Sequence, residues 1–266
     1  VAALFLLLHH FSVLLALVCD IAVLWLTLGF RQFSHYFTDI RDALERGDEL
    51  SARRLLAQWR HVDASELPRT ELLRHVIEYS LLAAHRHVFG VFFWFVLLSS
   101  LGLGPMGAVL YRMAEFSSRH WGTPNKTLGM PPNERLMAVS QQLFAWIDHV
   151  PARLTAFGFA VVGNFEEAVN TWRRDAPLWT HANEGVLLAS AAGAVGVQLG
   201  GQPPGASPDR ARGFGTADGD ATIASGSTTG DPPQLGHLRS VVGLVWRSVV
   251  LWMLLLSLLT LANLVG

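Results

Sequence analysis

The sequence has little charge and almost no cysteine, and each shortage excludes a class of protein. The only cysteine is Cys19, which excludes a disulfide-rich secreted domain. Charged residues make up 15% of the 266 residues and the net charge is −1, so nothing in the composition indicates nucleic-acid binding. A disordered chain is also excluded, because 51% of the residues are apolar. The apolar residues are concentrated in long runs, which predicts an all-α, polytopic helical membrane protein.

Three of these runs are long enough to cross a hydrocarbon core of about 30 Å, which needs roughly 20 helical residues. They are residues 11–29, 89–111 and 241–265. Glycines and Pro105 in the middle of the second run predict a break or a kink there. Two shorter runs, at 152–165 and 185–199, raise the number of membrane-embedded helices to as many as five. Because they are short, a re-entrant or protein-buried helix is an equal alternative for each.

The polar segments between the runs divide the chain into five predicted regions. They are N-terminal membrane helices at 1–29, a helical polar loop at 30–88, a membrane core at 89–199, a flexible low-complexity loop at 200–237 and a C-terminal transmembrane helix at 238–266. The first residue is Val, so we expect an N-terminal piece to be missing. Arginines in the polar loop favour a cytoplasmic position by the positive-inside rule. This predicts a multi-pass protein of the bacterial inner (cytoplasmic) membrane.

The polar loop carries nine arginines and nine acidic residues, and its apolar spacing predicts a helical hairpin over 34–59. Further along, Glu71, Arg74 and Glu78 follow one another at i, i+3 and i+7, on one face of a helix. Such a face could bind Mg²⁺ and a phosphate, or it could be a solvated, salt-bridged surface. The spacing alone favours the salt-bridged surface.

Two histidines close together, His85 and His87, raise the question of a metal site. Residues two apart on a helix point about 200° away from each other, so one ion cannot bind both without distortion. We therefore predict histidines at a membrane boundary and no metal site. The chain also lacks GxxxxGK[ST] and GxSxG motifs, so neither motif identifies an enzyme.

Three segments, in consistent order, resemble the CobD/CbiB proteins of cobalamin biosynthesis. They are LTLGFRQFSHYFTDIRDALERGDELSARRLL at 26–56, FFWFVLL followed by GPMGAVLYR at 92–112, and WIDHVPARLTAF at 146–157. The chain is also similar to AmpE, a membrane protein linked to regulation of β-lactamase induction. HRHVFGVFFWF followed by GPMGAVLYR is closer to AmpE.

The resemblance to CobD/CbiB implies an adenosylcobinamide-phosphate synthase, which joins aminopropanol phosphate to a corrinoid through an amide bond, with ATP and Mg²⁺. It implies Asp63 and Glu78 as catalytic residues. It also implies Arg112 and Arg153 as substrate-binding residues.

Several polar positions of that family pattern are replaced in this chain. An aspartate of the pattern falls on Arg86, an Asn-Thr-Leu-Asp-Ser segment falls on residues 115–119, and an Asp-Asp pair falls on Phe144 and Ala145. Such replacements remove ligands and invert local charge, whereas the packing motifs remain.

The replacements lead us to favour a non-catalytic, AmpE-like signalling or regulatory protein without a cofactor. It would have the lipid bilayer and a membrane protein as partners, and no nucleic acid. The alternative is the synthase, with a corrinoid substrate, ATP and Mg²⁺. A transporter that uses Asp20 inside the first apolar run is a third hypothesis.

Overall fold

The computed structural model describes residues 13–28, 30–60, 64, 67–121, 133–200 and 227–265, and the regular structure within them is helical. The α-helices are α1 (Val13–Thr27), α2 (Phe30–Glu45), α3 (Glu49–Arg60), α4 (Arg69–Ala84), α5 (Gly90–Ser100), α6 (Met106–His120), α7 (Glu134–Val162), α8 (Phe165–Asp175), α9 (Ala182–Val195) and α10 (Leu235–Val265). A π-helix (His85–Phe89) joins α4 to α5, and a 3₁₀-helix (Ala176–Leu178) follows α8. The predicted all-α class is confirmed.

The chain folds into two compact units, which are described separately. Within the described ranges, unit 1 comprises the residues up to His35 together with residues 83–121 and 133–151. Unit 2 comprises residues 36–60, 64, 67–82, 152–200 and 227–265.

In unit 1, helices α5 and α6 form a tight antiparallel hairpin. The turn follows Ser100, where Gly102 (φ 77°) and Gly104 (φ 59°) adopt left-handed conformations that glycine tolerates best. The Leu103 amide donates to the Leu98 carbonyl at 2.9 Å and closes the end of α5. The predicted break is therefore confirmed. Residues 89–111, however, reverse direction at this turn and do not form one kinked helix.

Small residues let the two arms of this hairpin approach closely. A Cβ atom on Gly107 would collide with the backbone of Trp94, and a Cβ atom on Gly90 would collide with the ring of Tyr111. Val91, Ala108 and Tyr111 form the buried core between the arms. Packed against this core are Leu24, Leu28, Trp94, Phe95, Phe144 and Ile147.

Pro151 lies inside α7, where proline removes one intrahelical hydrogen bond. The acceptor left without its usual donor is the carbonyl of Ile147, four residues earlier. The indole Nε1 of Trp94 donates to that oxygen at 3.1 Å. The tryptophan of the FFW segment thus compensates for the proline of the PARLTA segment, and α7 continues through Pro151 to Val162.

Unit 2 contains the predicted hairpin of the polar loop, formed by α2 and α3. Gly47 takes a left-handed conformation (φ 76°) at the turn, and the Asp48 carboxylate accepts from the Ser51 amide at 3.0 Å at the start of α3. The Trp59 ring lies 6.0 Å from the ring of Tyr36 and 4.5 Å from the ring of Tyr79. These contacts hold the hairpin against α4.

The Gly- and Ala-rich run at 185–199 is a buried helix in this unit. A Cβ atom on Gly193 of α9 would collide with the backbone of Glu167 in α8. The Ser190 hydroxyl donates to the Ala156 carbonyl of α7 at 2.7 Å. Residues Gly185–Gly193 are all buried, which favours the protein-buried alternative for this run. The other short run, 152–165, continues α7 as far as Val162.

Two helical stretches are long and apolar enough to cross a membrane. They are Arg69–Ser100, with 32 residues, and Leu235–Leu258, with 24 residues. A core helix of a soluble protein or a signal sequence meets the same criterion. Two candidate spans give weak support for a membrane protein, and the multi-pass architecture remains a prediction.

Candidate functional site

The first polar cluster lies in unit 2, and we call it the Glu78 cluster: Glu71, Arg74, His75 and Glu78 of α4 with the backbone of Gly200. Arg74 forms an ion pair with Glu71, and its Nε lies 3.7 Å from the Glu78 carboxylate. His75 Nδ1 lies 3.5 Å from the other oxygen of that carboxylate. The predicted salt-bridged face is therefore present, but it is buried and not solvated, since the Glu78 side chain is 1% exposed.

The Glu78 cluster binds both polar groups of one glycine. The Gly200 amide donates to Glu78 Oε1 at 2.6 Å, and Arg74 donates to the Gly200 carbonyl at 3.0 Å. Gly200 has a left-handed backbone (φ 68°) and forms a bridge with Ser227, so the two chain segments meet there. Next to it, Thr228 accepts from the Leu199 amide at 2.8 Å. In this arrangement the Glu78 carboxylate holds the backbone of Gly200 in place.

The second cluster lies in unit 1, and we call it the Arg112 cluster: His87, Arg112, Glu115 and Arg119. Arg112 donates to one oxygen of Glu115 at 3.0 Å, and Arg119 Nε lies 2.7 Å from the other in an ion pair. Arg112 also lies 3.0 Å from His87 Nδ1. The Glu115 side chain is 6% exposed, whereas those of Arg112 and Arg119 are 28% and 27% exposed. One buried carboxylate thus holds two guanidinium groups that reach solvent.

The ionisation of Glu115 follows from its neighbours. Burial raises the pKa of Glu115, but the positive charges of Arg119, Arg112 and Arg86 lower it more, so its pKa lies below the ordinary value. Glu115 is therefore ionised at neutral pH, and the pair of arginines keeps a net charge of about +1.

A third group in unit 1 is centred on Asp148, which is 5% exposed. His85 Nε2 lies 2.8 Å from Asp148 Oδ1, and the Tyr111 hydroxyl donates to the same oxygen at 2.7 Å. His85 is buried inside the protein, and its position at a membrane boundary stays a prediction. The two histidines do point in different directions, since His87 faces Arg112.

The implied site residues are distributed over both units. Arg112 lies in unit 1, and Glu78 and Arg153 lie in unit 2. Arg153 donates to the Asn183 side chain at 3.2 Å and so connects α7 to α9. Asp63 lies outside the described residues.

Sequence reasoning missed Glu115, Arg119, Asp148 and Tyr111. Their positions in or beside the family segments could have identified them as candidates. Tyr111 and Asp148 belong to the segments GPMGAVLYR and WIDHVPARLTAF, while Glu115 and Arg119 follow Arg112 at helical spacing.

A Mg²⁺ site is not supported by the side chains that the structure describes. Among these residues, no three His, Cys, Asp or Glu side chains converge. Glu71 and Glu78 are near each other, but both carboxylates are turned to Arg74. A guanidinium group between two carboxylates occupies the position that a cation would need, so the donor set of the Glu78 cluster does not fit a metal.

Comparison with known proteins decides the family. The family described as CobD/Cbib protein matches residues 1–205. The chain belongs to the CobD/CbiB family.

Three similar relatives carry the name Cobalamin biosynthesis protein CobD. The protein of Stutzerimonas stutzeri is 32% identical over 237 residues, covering 89% of this chain and 71% of the relative. That of Chromobacterium violaceum is 33% identical over 196 residues, covering 71% and 57%. That of Mycobacterium tuberculosis is 30% identical over 185 residues, covering 66% and 55%.

These matches correct our preference for a non-catalytic, AmpE-like signalling protein. That preference is wrong, because these CobD/CbiB relatives are named for cobalamin biosynthesis. The suspected CobD/CbiB membership is confirmed. The chain spans a little over half the length of the second and third relatives. No solved structure matches the chain.

Proposed function

We propose that this CobD/CbiB protein is an adenosylcobinamide-phosphate synthase of cobalamin biosynthesis. The observation that carries the proposal is the match to the Stutzerimonas stutzeri protein, which is named for cobalamin biosynthesis and extends over 89% of this chain. The reaction would join the amine of aminopropanol phosphate to a carboxyl carbon of the corrinoid, and the displaced carboxylate oxygen would leave on a phosphoryl group from the ATP that the resemblance implies. It needs groups that hold an anionic phosphate and groups that orient the two reactants.

The residues proposed for these tasks follow the family resemblance and the local chemistry. Arg112 and Arg153 are proposed as substrate-binding residues, because guanidinium groups suit phosphate and carboxylate oxygens. Asp63 is proposed as a catalytic residue. Glu78 is proposed to act as a positioning residue through Gly200, because its carboxylate is buried against that backbone.

ATP and Mg²⁺ remain implied only by the resemblance. The Glu78 cluster does not fit a metal, since Arg74 lies between its carboxylates. We therefore assign no residue to a metal and derive no step through one.

We also propose that the protein is embedded in the bacterial inner membrane as a multi-pass protein. Large apolar side chains face outward along several helices: Leu14 and Trp25 of α1 are 72% and 75% exposed, and Trp146 of α7 is 76% exposed. On α7 the exposed apolar residues recur at helical spacing, at Leu136, Val139, Leu143, Trp146, Val150, Leu154, Phe157 and Val161. On α10 they include Trp246, Val250, Met253, Leu254, Leu255, Leu258 and Leu261. Apolar surface of this extent is typical of contact with lipid.

Genetic complementation tests the proposed activity. The full-length gene is expressed in a strain that lacks the synthase, and growth is scored under conditions that require conversion of cobinamide to cobalamin. We expect growth with the wild-type gene and none with Asp63→Ala. Asp39→Ala, at an exposed carboxylate on α2, serves as the matched control and is expected to support growth. Absence of growth with a wild-type protein that is shown to insert into the membrane would contradict the proposal.

A further inference from the structure

In the Arg112 cluster, positively charged side chains outnumber the negatively charged side chains that pair with them. Two guanidinium groups share the single carboxylate of Glu115, one on each oxygen. These contacts involve Nη1 of Arg112 and Nε of Arg119, and each guanidinium has further N–H groups on a side chain that is more than a quarter exposed. Arg112, Glu115 and Arg119 follow one another at i, i+3 and i+7, so all three lie on one face of α6.

Arg41 shows what an ordinary surface arginine of this chain looks like. Its side chain is 32% exposed, close to the values for Arg112 and Arg119. Arg41 lies 2.7 Å from the carboxylate of Asp42 and 4.0 Å from that of Glu45. Glu45 also pairs with Arg239 at 2.9 Å, so two arginines there meet two carboxylates, whereas in the Arg112 cluster two arginines meet one carboxylate. The charges around Arg41 therefore balance, whereas those of Arg112, Arg119 and Glu115 leave an excess of one positive charge.

The orientation of the two arginines suits an oxyanion. Glu115 holds both guanidinium groups in place from the buried side, so little side-chain entropy is lost when a ligand binds. Arg86, which is 8% exposed, adds positive potential at Glu115. Paired guanidinium groups of this kind bind phosphate through charge-assisted, bidentate hydrogen bonds.

We propose that Arg112 and Arg119 form a binding site for a phosphate group, either of a soluble phosphate monoester or of an anionic lipid headgroup. Oxyanion binding rests on the contacts of the cluster. The proposed function is needed only for one further step, which is to identify the bound phosphate as that of the synthase substrate.

Thermal unfolding of the detergent-solubilised full chain tests the site with inorganic phosphate as the probe. Phosphate is titrated against sodium chloride at equal ionic strength, and the rise in the unfolding midpoint gives the apparent affinity. We expect a saturable rise for wild type and at least about tenfold weaker binding for Arg119→Gln and Arg112→Gln, since each loses a charge-assisted hydrogen bond. Arg119→Lys keeps the charge and should retain part of the response.

Two further variants separate ligand binding from a merely structural role. Arg41→Gln, the matched control, should respond to phosphate as wild type does. Glu115→Gln keeps a side-chain oxygen that can accept from a guanidinium group but removes the competing negative charge, so we expect phosphate binding to be retained even though the variant unfolds at a lower temperature. An unchanged response in both Arg119→Gln and Arg112→Gln would overturn the proposal.

The source of the phosphate is decided by a second arm with vesicles. The protein is reconstituted in phosphatidylcholine with or without phosphatidylglycerol, and unfolding midpoints are compared. Stabilisation by phosphatidylglycerol that depends on Arg119, without a response to free phosphate, assigns the site to a lipid headgroup. A response to free phosphate assigns it to a soluble ester, and no response in either arm contradicts the site. If the protein binds phosphate but fails complementation, the proposed function is contradicted and the proposed phosphate site is supported.

Discussion

The Glu78 cluster and the Arg112 cluster contain the same residue types but differ in how completely they are satisfied. In the first, Arg74 and Glu78 are 9% and 1% exposed, and between them they bind the amide and the carbonyl of Gly200. In the second, Arg112 and Arg119 are 28% and 27% exposed and share one carboxylate. Spacing along the helix does not distinguish these two arrangements, because both follow i, i+3 and i+7.

The difference teaches what the two clusters are able to do. Buried charged groups that already bind backbone cannot exchange these partners for a ligand without losing stability. Guanidinium groups that reach solvent can add a ligand without breaking a bond. We therefore expect substitutions in the Glu78 cluster to affect mainly stability, and substitutions in the Arg112 cluster to affect mainly binding.

The largest expected effect is that of Glu78→Ala. The change leaves the Gly200 amide without its acceptor and removes one of the two carboxylates around Arg74. We expect a loss of about 3 kcal/mol in the free energy of unfolding, measured by chemical denaturation in detergent. Glu78→Gln keeps an acceptor for the amide and should lose less. Arg112→Gln should lose only about 1 kcal/mol, because its ion pair is partly exposed. A larger loss in the free energy of unfolding for Arg112→Gln than for Glu78→Ala would contradict the distinction between the two clusters.

A substitution with a smaller expected effect tests whether an uncharged hydrogen bond stabilises the hairpin that carries the Arg112 cluster. Trp94→Phe removes the indole donor and leaves the Ile147 carbonyl without the partner that replaces the missing amide of Pro151. We expect a loss of about 1–2 kcal/mol in the free energy of unfolding.

A double-mutant cycle with Pro151→Ala isolates that hydrogen bond. The substitution restores a backbone amide that can donate to the Ile147 carbonyl, so Trp94→Phe should cost less in this background than in wild type. Equal costs in the two backgrounds would show that Trp94 stabilises unit 1 only by its volume.

Much of the local fold follows from sequence. The α2–α3 hairpin is predicted from apolar spacing interrupted at Gly47, and the turn after Ser100 from its glycines and Pro105. What the spacing leaves open is whether the chain kinks or reverses at such a turn. That depends on the close contact of Gly107 with Trp94, which only the folded structure shows.

The predicted loss of function shows a limit of reading replaced residues one at a time. Arg86 and Glu115 both stand where the family pattern has other residues, and each replacement alone looks like damage to a polar site. In the fold Arg86 lowers the pKa of Glu115, so the two replacements compensate each other in part. The burial of Glu78 was likewise hidden, because its partner Gly200 lies far along the chain.

The smallest effect is the pH dependence that Glu115 confers. Its pKa in the folded protein lies below the ordinary value, so its ion pairs contribute stability above the unfolded pKa and lose that contribution as the pH falls through the folded pKa. We expect the free energy of unfolding of wild type to exceed that of Glu115→Gln by about 1 kcal/mol at pH 7, and the gap to close in acid. Unfolding of both proteins is measured from pH 7 downward, with Asp39→Asn as the exposed control. A gap that persists below the pKa of Glu115 would show that the amide disrupts packing. In that case the carboxylate would not be what holds Arg112 and Arg119 in place.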